Sequence, residues 1–194
     1  METENKNPKQ RAIMETGRRL FWKYGFRRVN VDEICREAGV SKMTFYRFFE
    51  NKIDLARKIY EREILIGVER FNKLMNSEIP PSDKLKAIIT LKLEGTNDMS
   101  REFLMDFYKS NDTGLKAFVE DLTEKSWNEI IKSFRDAQEK GWFRKDFKPE
   151  FILYLTQHLI PMLTDENLLK LYDTPQQLIL EFANFFTYGI SQHD

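Results

Sequence analysis

The sequence predicts an all-α fold, and three observations carry that expectation. Apolar residues recur three and four apart along the chain, no segment shows the period-two alternation of a half-buried strand, and helix-capping residues stand between the periodic blocks. Phe, Tyr and Trp number 16, 7 and 3, and 41% of the 194 residues are hydrophobic, enough for a sizeable core.

Ile13, Thr16, Gly17, Leu20, Phe21 and Tyr24 form one face of a first helix, which Gly25 can terminate. Asn30 is placed to cap a second helix. Glu33, three residues on, completes a capping-box-like pair, and Val29 can staple against Ile34. Gly39 suits the left-handed position that ends this helix. Ser41 then caps a third, short helix. On a helical wheel Phe45, Phe48 and Phe49 fall on one side of it, with Met43, Thr44, Tyr46 and Arg47 over the other. Asn51 and Asp54 open a longer helix carrying Leu55, Ile59, Ile64, Val68, Phe71 and Met75 on its apolar side, running to about Asn76 before Pro80-Pro81. Further helices are expected near residues 83–94, 101–110, 113–140, 149–164 and 175–190, with a short turn or helix at 165–172.

The stretch 30–52 carries the functional signal, because two short helices joined by Gly39-Val40-Ser41 are the pattern of a helix-turn-helix reader of DNA. The outer side of the third helix offers a cation, hydroxyl, phenol and thioether with no acid before Glu50, groups that can meet phosphates and base edges. Charge is distributed to match. Residues 1–60 hold 14 Lys+Arg against 8 Asp+Glu, whereas 61–194 hold 17 against 23, so a basic end suited to a polyanion precedes an acidic remainder.

Residues 11–58 resemble the DNA-binding domain of the tetracycline-repressor (TetR) family of transcription regulators. The resemblance is carried by Gly25-Phe26, Val31 to Ile34, Gly39-Val40-Ser41, Tyr46 to Phe49 and Asn51-Lys52. Met43 stands where the family commonly has a small residue, and Phe45 where it often has leucine. The resemblance implies a helix-turn-helix domain at 1–52, followed by a helical effector-binding and dimerisation domain at 53–194. The expected DNA contacts are Ser41, Lys42, Met43, Thr44, Tyr46, Arg47 and Lys52. Lys42, Thr44, Tyr46 and Lys52 would anchor phosphates, Arg47 and Met43 would reach towards bases, and Ser41 would cap the helix or touch the backbone.

Two later helices are more apolar than one monomer needs. Leu155, Leu159 and Met162 on one, with Phe182, Phe185 and Phe186 on the other, are expected at a homodimer interface, whose twofold symmetry would set two recognition helices on a palindromic operator. Phe103, Phe107, Trp127, Ile131, Tyr154 and His158 are candidates to line an effector pocket for a small apolar or amphipathic molecule, with His158 needing a polar partner and Pro161 expected to kink its helix.

Catalysis is disfavoured. There are two histidines, His158 and His193, no HExxH, glycine-rich phosphate loop or Gly-x-Ser-x-Gly, and one cysteine, Cys35, read as packing. No cofactor or metal is expected. No apolar run is long enough to span a membrane and the polar Met1 to Gln10 does not resemble a signal peptide, so a cytoplasmic protein is expected. The expected function is thus a ligand-responsive homodimeric repressor of double-stranded DNA operators. The alternative is an all-helical ligand- or protein-binding module without sequence-specific DNA binding.

Overall fold

The computed structural model describes residues 7–108 and 113–191, and ten α-helices follow one another there without a strand among the described residues. They are α1 (Pro8–Tyr24), α2 (Val31–Glu37), α3 (Lys42–Phe48), α4 (Lys52–Met75), α5 (Pro81–Gly95), α6 (Arg101–Tyr108), α7 (Thr113–Glu139), α8 (Pro149–Leu159), α9 (Glu166–Leu169) and α10 (Pro175–Gly189). The chain divides into two compact units. One takes the residues up to Arg62 together with Asp98–Val119, and the other takes Glu63–Asn97 with the residues from Glu120 onward.

In the first unit local chemistry sets each helix end. Asn7 accepts the Lys9 N–H at 3.0 Å and Pro8 takes the first helical position, where a missing N–H costs nothing. Gly25 closes α1 at φ +81°, returning its N–H to the Phe21 carbonyl. Asn30 Oδ1 accepts the Glu33 N–H at 2.9 Å to open α2, and Gly39 ends that helix at φ +65°. Ser41 Oγ accepts the Thr44 N–H at 3.1 Å to open α3. Phe49 lies off the helical wheel expected for it. It caps α3 in extended conformation while its ring stays 1% exposed.

Ile13, Leu20 and Phe21 of α1, Ile34 of α2, Phe45 of α3, Phe49, and Leu55 and Ile59 of α4 are buried together as this unit's core. Each contributes about 1.5–3 kcal/mol by leaving water. Gly17 lets α1 approach α4, since a Cβ there would stand 3.0 Å from Leu55 Cδ2 and 3.1 Å from Ile59 Cδ1.

In the second unit Met75, Phe134, Ala137, Phe143, Ile152 and Ile190 form the core, with Phe71, Leu85, Ile88, Trp127 and Trp142 packed against it. An isolated bridge pairs Phe143 with Ser191, and the Arg144 N–H donates to the Ile190 carbonyl at 3.2 Å, fastening the end of α10. Thr174 and Gln177 form a reciprocal capping box at the start of α10, which packs along α5. After Leu159 the chain tightens into a 3₁₀ turn, Ile160–Thr164, at the position of Pro161.

Lys84 is the unexpected member of this unit, being fully buried. Its ammonium donates to the carbonyls of Leu74 at 3.0 Å and Met75 at 3.2 Å, and also to that of Ser77, closing the end of α4. The Trp142 ring lies 4.4 Å from Nζ. Burial, reinforced by Lys140, lowers the Lys84 pKa.

Candidate nucleic-acid interface

Helix α3 is seven residues long and is held by one side. Phe45 is fully buried, whereas Met43 is 84% and Tyr46 55% exposed, and Arg47 is exposed on the same outward side. The Arg47 guanidinium lies 4.8 Å from the centroid of the half-buried Phe48 ring, which leaves its polar edge to solvent. Thr44 is half-buried, its hydroxyl 3.0 Å from Ser41 Oγ. Lys42, the first residue of α3, pairs at 2.7 Å with Asp32 in the first turn of α2. The hydrogen bond and charge of Asp32 raise the Lys42 pKa, so this ammonium stays charged. The outward surface therefore offers a thioether, a phenol and a guanidinium at the width of one short helix, and such groups read base edges and phosphates in a major groove.

Several polar ties hold this reader in place. Lys52, the first residue of α4, turns its ammonium onto the α1–α2 turn, donating to the carbonyls of Phe26 and Val29 at 2.8 Å each and of Arg27 at 3.4 Å. Burial lowers the Lys52 pKa, with the charge of Asp106 opposing the shift. The structure thus gives Lys52 work inside the protein, where the sequence suggests a phosphate contact. Lys58, two turns on, donates to the Phe48 carbonyl at 3.3 Å and to Asp54 Oδ2 at 3.1 Å, and that carboxylate also accepts the Glu50 N–H. From α6, Asp106 Oδ2 accepts the Arg27 N–H at 2.8 Å, and the Trp22 carbonyl accepts the Ser100 N–H at 2.9 Å.

Asp32, Lys58 and Asp106 were not evident as site residues in the sequence. The Asp54–Lys58 spacing of four was a legible signal. Asp106 lies 79 positions from Arg27 and gave none. Cys35 is 4% exposed, and burial, aided by Asp32, raises its thiol pKa, which suits packing rather than reaction.

The residues expected to line an effector pocket are dispersed. Phe103 belongs to the first unit, buried against Trp22 with ring centroids 4.4 Å apart and stacked near Tyr60 at 6.1 Å. In the second unit Ile131 is buried and Trp127 half-buried, but Tyr154 and His158 are exposed, their rings 4.1 Å apart, so these four do not line one cavity. The partner that His158 requires is the Tyr154 carbonyl, 2.8 Å from Nδ1. The side chain of Phe107 lies outside the described residues. A cleft of about 330 Å³ lies beside Tyr24, Arg28, Met105 and Asp106, and none of the described candidates borders it.

Of the six residues expected at a dimer interface, Phe185 is 74% exposed, Met162 is also exposed, and Leu155, Phe182 and Phe186 are half-buried. The side chain of Leu159 lies outside the described residues. Phe151 and Tyr154 on α8 and Tyr188 on α10 are further exposed hydrophobics, so both helices present apolar side chains to solvent.

A buried-phenylalanine seat, a Gly-Val-Ser turn and an outward Tyr-Arg side occur here within a longer match: residues 13–59 align with the bacterial regulatory proteins of the tetR family. The chain belongs to the TetR family. It is 26% identical over 183 residues to the Transposon Tn10 TetC protein of Escherichia coli, covering 88% of this chain and 77% of that one. The fold is shared with the fatty acid degradation regulator FadR of Bacillus halodurans, at TM-score 0.73 and 16% identity over 98% of this chain and all of that one. It is also shared with FadR of Bacillus subtilis, solved with stearoyl-CoA, at TM-score 0.62 and 16% identity over 89% of this chain and 96% of that one. TetR-family proteins are transcription regulators and not enzymes, and this one is all-α with an N-terminal helix-turn-helix. Among the described residues no helix is long and apolar enough to cross a membrane, and no cluster of three or more His, Cys, Asp or Glu could hold a metal ion.

Proposed function

We propose that this TetR-family regulator is a homodimeric repressor that binds a palindromic operator and is released by a small apolar or amphipathic effector. The reading is carried by the third helix: Phe45 anchors it while Met43, Tyr46 and Arg47 face solvent, an arrangement fitted to a major groove. Lys42, Thr44 and Tyr46 meet phosphates, Arg47 and Met43 approach base edges, and Ser41 serves as the cap of α3. Lys52 acts from behind, by holding the α1–α2 turn.

Dimerisation through α8 and α10 is supported by the exposure of Phe151, Tyr154, Met162, Phe185 and Tyr188, large apolar groups that a second copy would cover. Two recognition helices would then sit about 34–36 Å apart. We retain the functional division into a reader at residues 1–52 and an effector-binding and dimerisation part at 53–194. The acyl-CoA bound by the Bacillus subtilis neighbour is one example of the amphipathic effector class. Release follows if the effector prefers a position of α4 that operator binding disfavours.

Selection of bound sequences from a random duplex pool tests the reading. A palindromic consensus with half-site centres one helical turn apart is expected, with affinity falling about 10³- to 10⁵-fold from 50 to 200 mM salt for some 6–10 phosphate contacts. Recovery of no consensus, or of an unpaired half-site, would overturn it.

A further inference from the structure

The ion pair between Asp32 and Lys42 stands apart from the other ties of the reader, because it includes a residue assigned to the DNA itself. The Lys42 ammonium is 2.7 Å from Asp32 Oδ1, and both side chains are more than half exposed. An exposed pair of this kind contributes little to folding. Other ion pairs of this unit, Arg19 with Glu37 at 2.6 Å joining α1 to α2 and Arg27 with Asp106 at 3.8 Å joining the α1–α2 turn to α6, leave the recognition helix untouched. The groups facing Lys42 are Asp32 and Cys35 of α2 and Tyr46 one turn along α3. Asp32 is the carboxylate among them, and it occupies the ammonium as a phosphate oxygen would.

We propose that Asp32 is a built-in competitor for the phosphate that Lys42 would hold, and that it sets how tightly this regulator grips any DNA duplex. The proposal rests on the DNA-binding reading above. To give Lys42 to a phosphate the protein must detach Asp32 and leave that carboxylate beside a polyanion. If Lys42 stays paired, one phosphate contact is lost. In either case the two side chains bring no net charge to the interface.

Neutralising Asp32 removes that cancellation and adds one effective positive charge per protomer. The salt slope of log K then steepens by about 0.9 per protomer, about 1.8 for a dimer. Between 200 and 50 mM salt that change alone improves the ratio of variant to wild-type affinity about tenfold. The gain applies to operator and generic duplex alike, because it arises from charge and not from base contacts.

The experiment is a fluorescence-anisotropy titration of the full chain on a labelled generic duplex and on the selected operator, from 50 to 200 mM salt. It compares the wild type with Asp32→Asn, with Asp32→Ser as a second neutral replacement, and with Asp32→Glu. Circular dichroism establishes that each variant is folded. Both neutral variants should bind more tightly at low salt with the steeper slope, while Asp32→Glu, which keeps the charge, should retain the wild-type slope. A pair that only orders the α2–α3 turn would leave the slope unchanged in every variant. Wild-type binding at 50 mM salt with no slope change in folded Asp32→Asn and Asp32→Ser overturns the proposal. Absence of wild-type binding to any duplex at 50 mM salt instead overturns the DNA-binding reading on which it rests.

Discussion

Replacing Lys52 with methionine separates two roles for one cation. The substitution keeps most of the side-chain length and removes the donors that reach the Phe26, Arg27 and Val29 carbonyls, along with the cation 4.4 Å from the Phe26 ring. Hydrogen bonds from a charged donor contribute about 1.5–3 kcal/mol each before desolvation, and half-burial of the ammonium offsets much of this, so a net loss of about 1–3 kcal/mol is expected. For a chain of this size that lowers Tm by about 3–10 °C. Differential scanning calorimetry reads the stability, and duplex titration across salt reads the phosphate count. The expected result is a lower Tm with an unchanged salt slope. An unchanged Tm, with a slope shallower by about 0.9 per protomer, would make Lys52 a phosphate anchor and refute the turn-clamp assignment.

Arg47→Ala should cost about 1–3 kcal/mol per half-site and blur preference at one operator position if the guanidinium reads a guanine; a uniform loss over all sequences in a binding-site selection would make it a phosphate contact. Gly25→Ala should destabilise by about 1–3 kcal/mol in urea denaturation, since alanine is strained at φ +81° and its Cβ would lie 2.5 Å from Asp106 Oδ2; wild-type stability would show that the Asp106 carboxylate and the turn yield freely. If α8 and α10 form the proposed dimer interface, the wild type should run as a dimer and Phe185→Glu as a monomer in size-exclusion chromatography with light scattering, and a Phe185→Glu dimer would place the interface elsewhere. Burial lowers the Lys84 pKa, so between that value and the ordinary one near 10.4 the unfolded chain holds a proton the folded chain has released. The stability of the wild type relative to Lys84→Met should therefore rise with pH across this alkaline window in urea melts, and a flat or falling difference would contradict the burial.

Features of short range were legible in the sequence. Asn30, Ser41, Gly25 and Gly39 act through partners within four residues or through their own φ, so residue type and spacing foretold the caps that the structure shows. The helical periods placed the elements from α4 to α10 for the same reason, since each period reflects one buried stripe. The outward side of α3 followed from Phe45 being the residue that must be buried. Phe49 is buried as the wheel expects, but from the cap position in extended backbone, because α3 ends at Phe48. Lys52 escaped because the carbonyls that receive its ammonium are 23–26 positions away, and a lysine beside a basic motif gives no sign of which way it points. His158 and Tyr154 looked like cavity residues from their apolar neighbours, yet the helix turns them outward.

The long-range ties missing from that pattern are the ones through which the proposed effector control would act. The α1–α2 turn is held by Lys52 of α4 and Asp106 of α6, and the end of α3 is held by Lys58 of α4, so the recognition helix is positioned by side chains rooted outside the three-helix motif. Lys52 and Lys58 lie six residues apart on one rigid helix, and an axial or rotational shift of that helix must disturb both contacts together. The Lys52 bonds at 2.8 Å and the Lys58 bond at 3.3 Å all pass beyond hydrogen-bond range within about an ångström, so a small shift suffices. Loss of the Lys58 contact frees the end of α3 and loss of the Lys52 contacts frees the α1–α2 turn, and coupling of about 1–3 kcal/mol, a typical allosteric value, is within what one charge-assisted hydrogen bond provides. On the proposed reading, effector control would require no unfolding of the reader, only an α4 position in which these two lysines no longer reach their carbonyls.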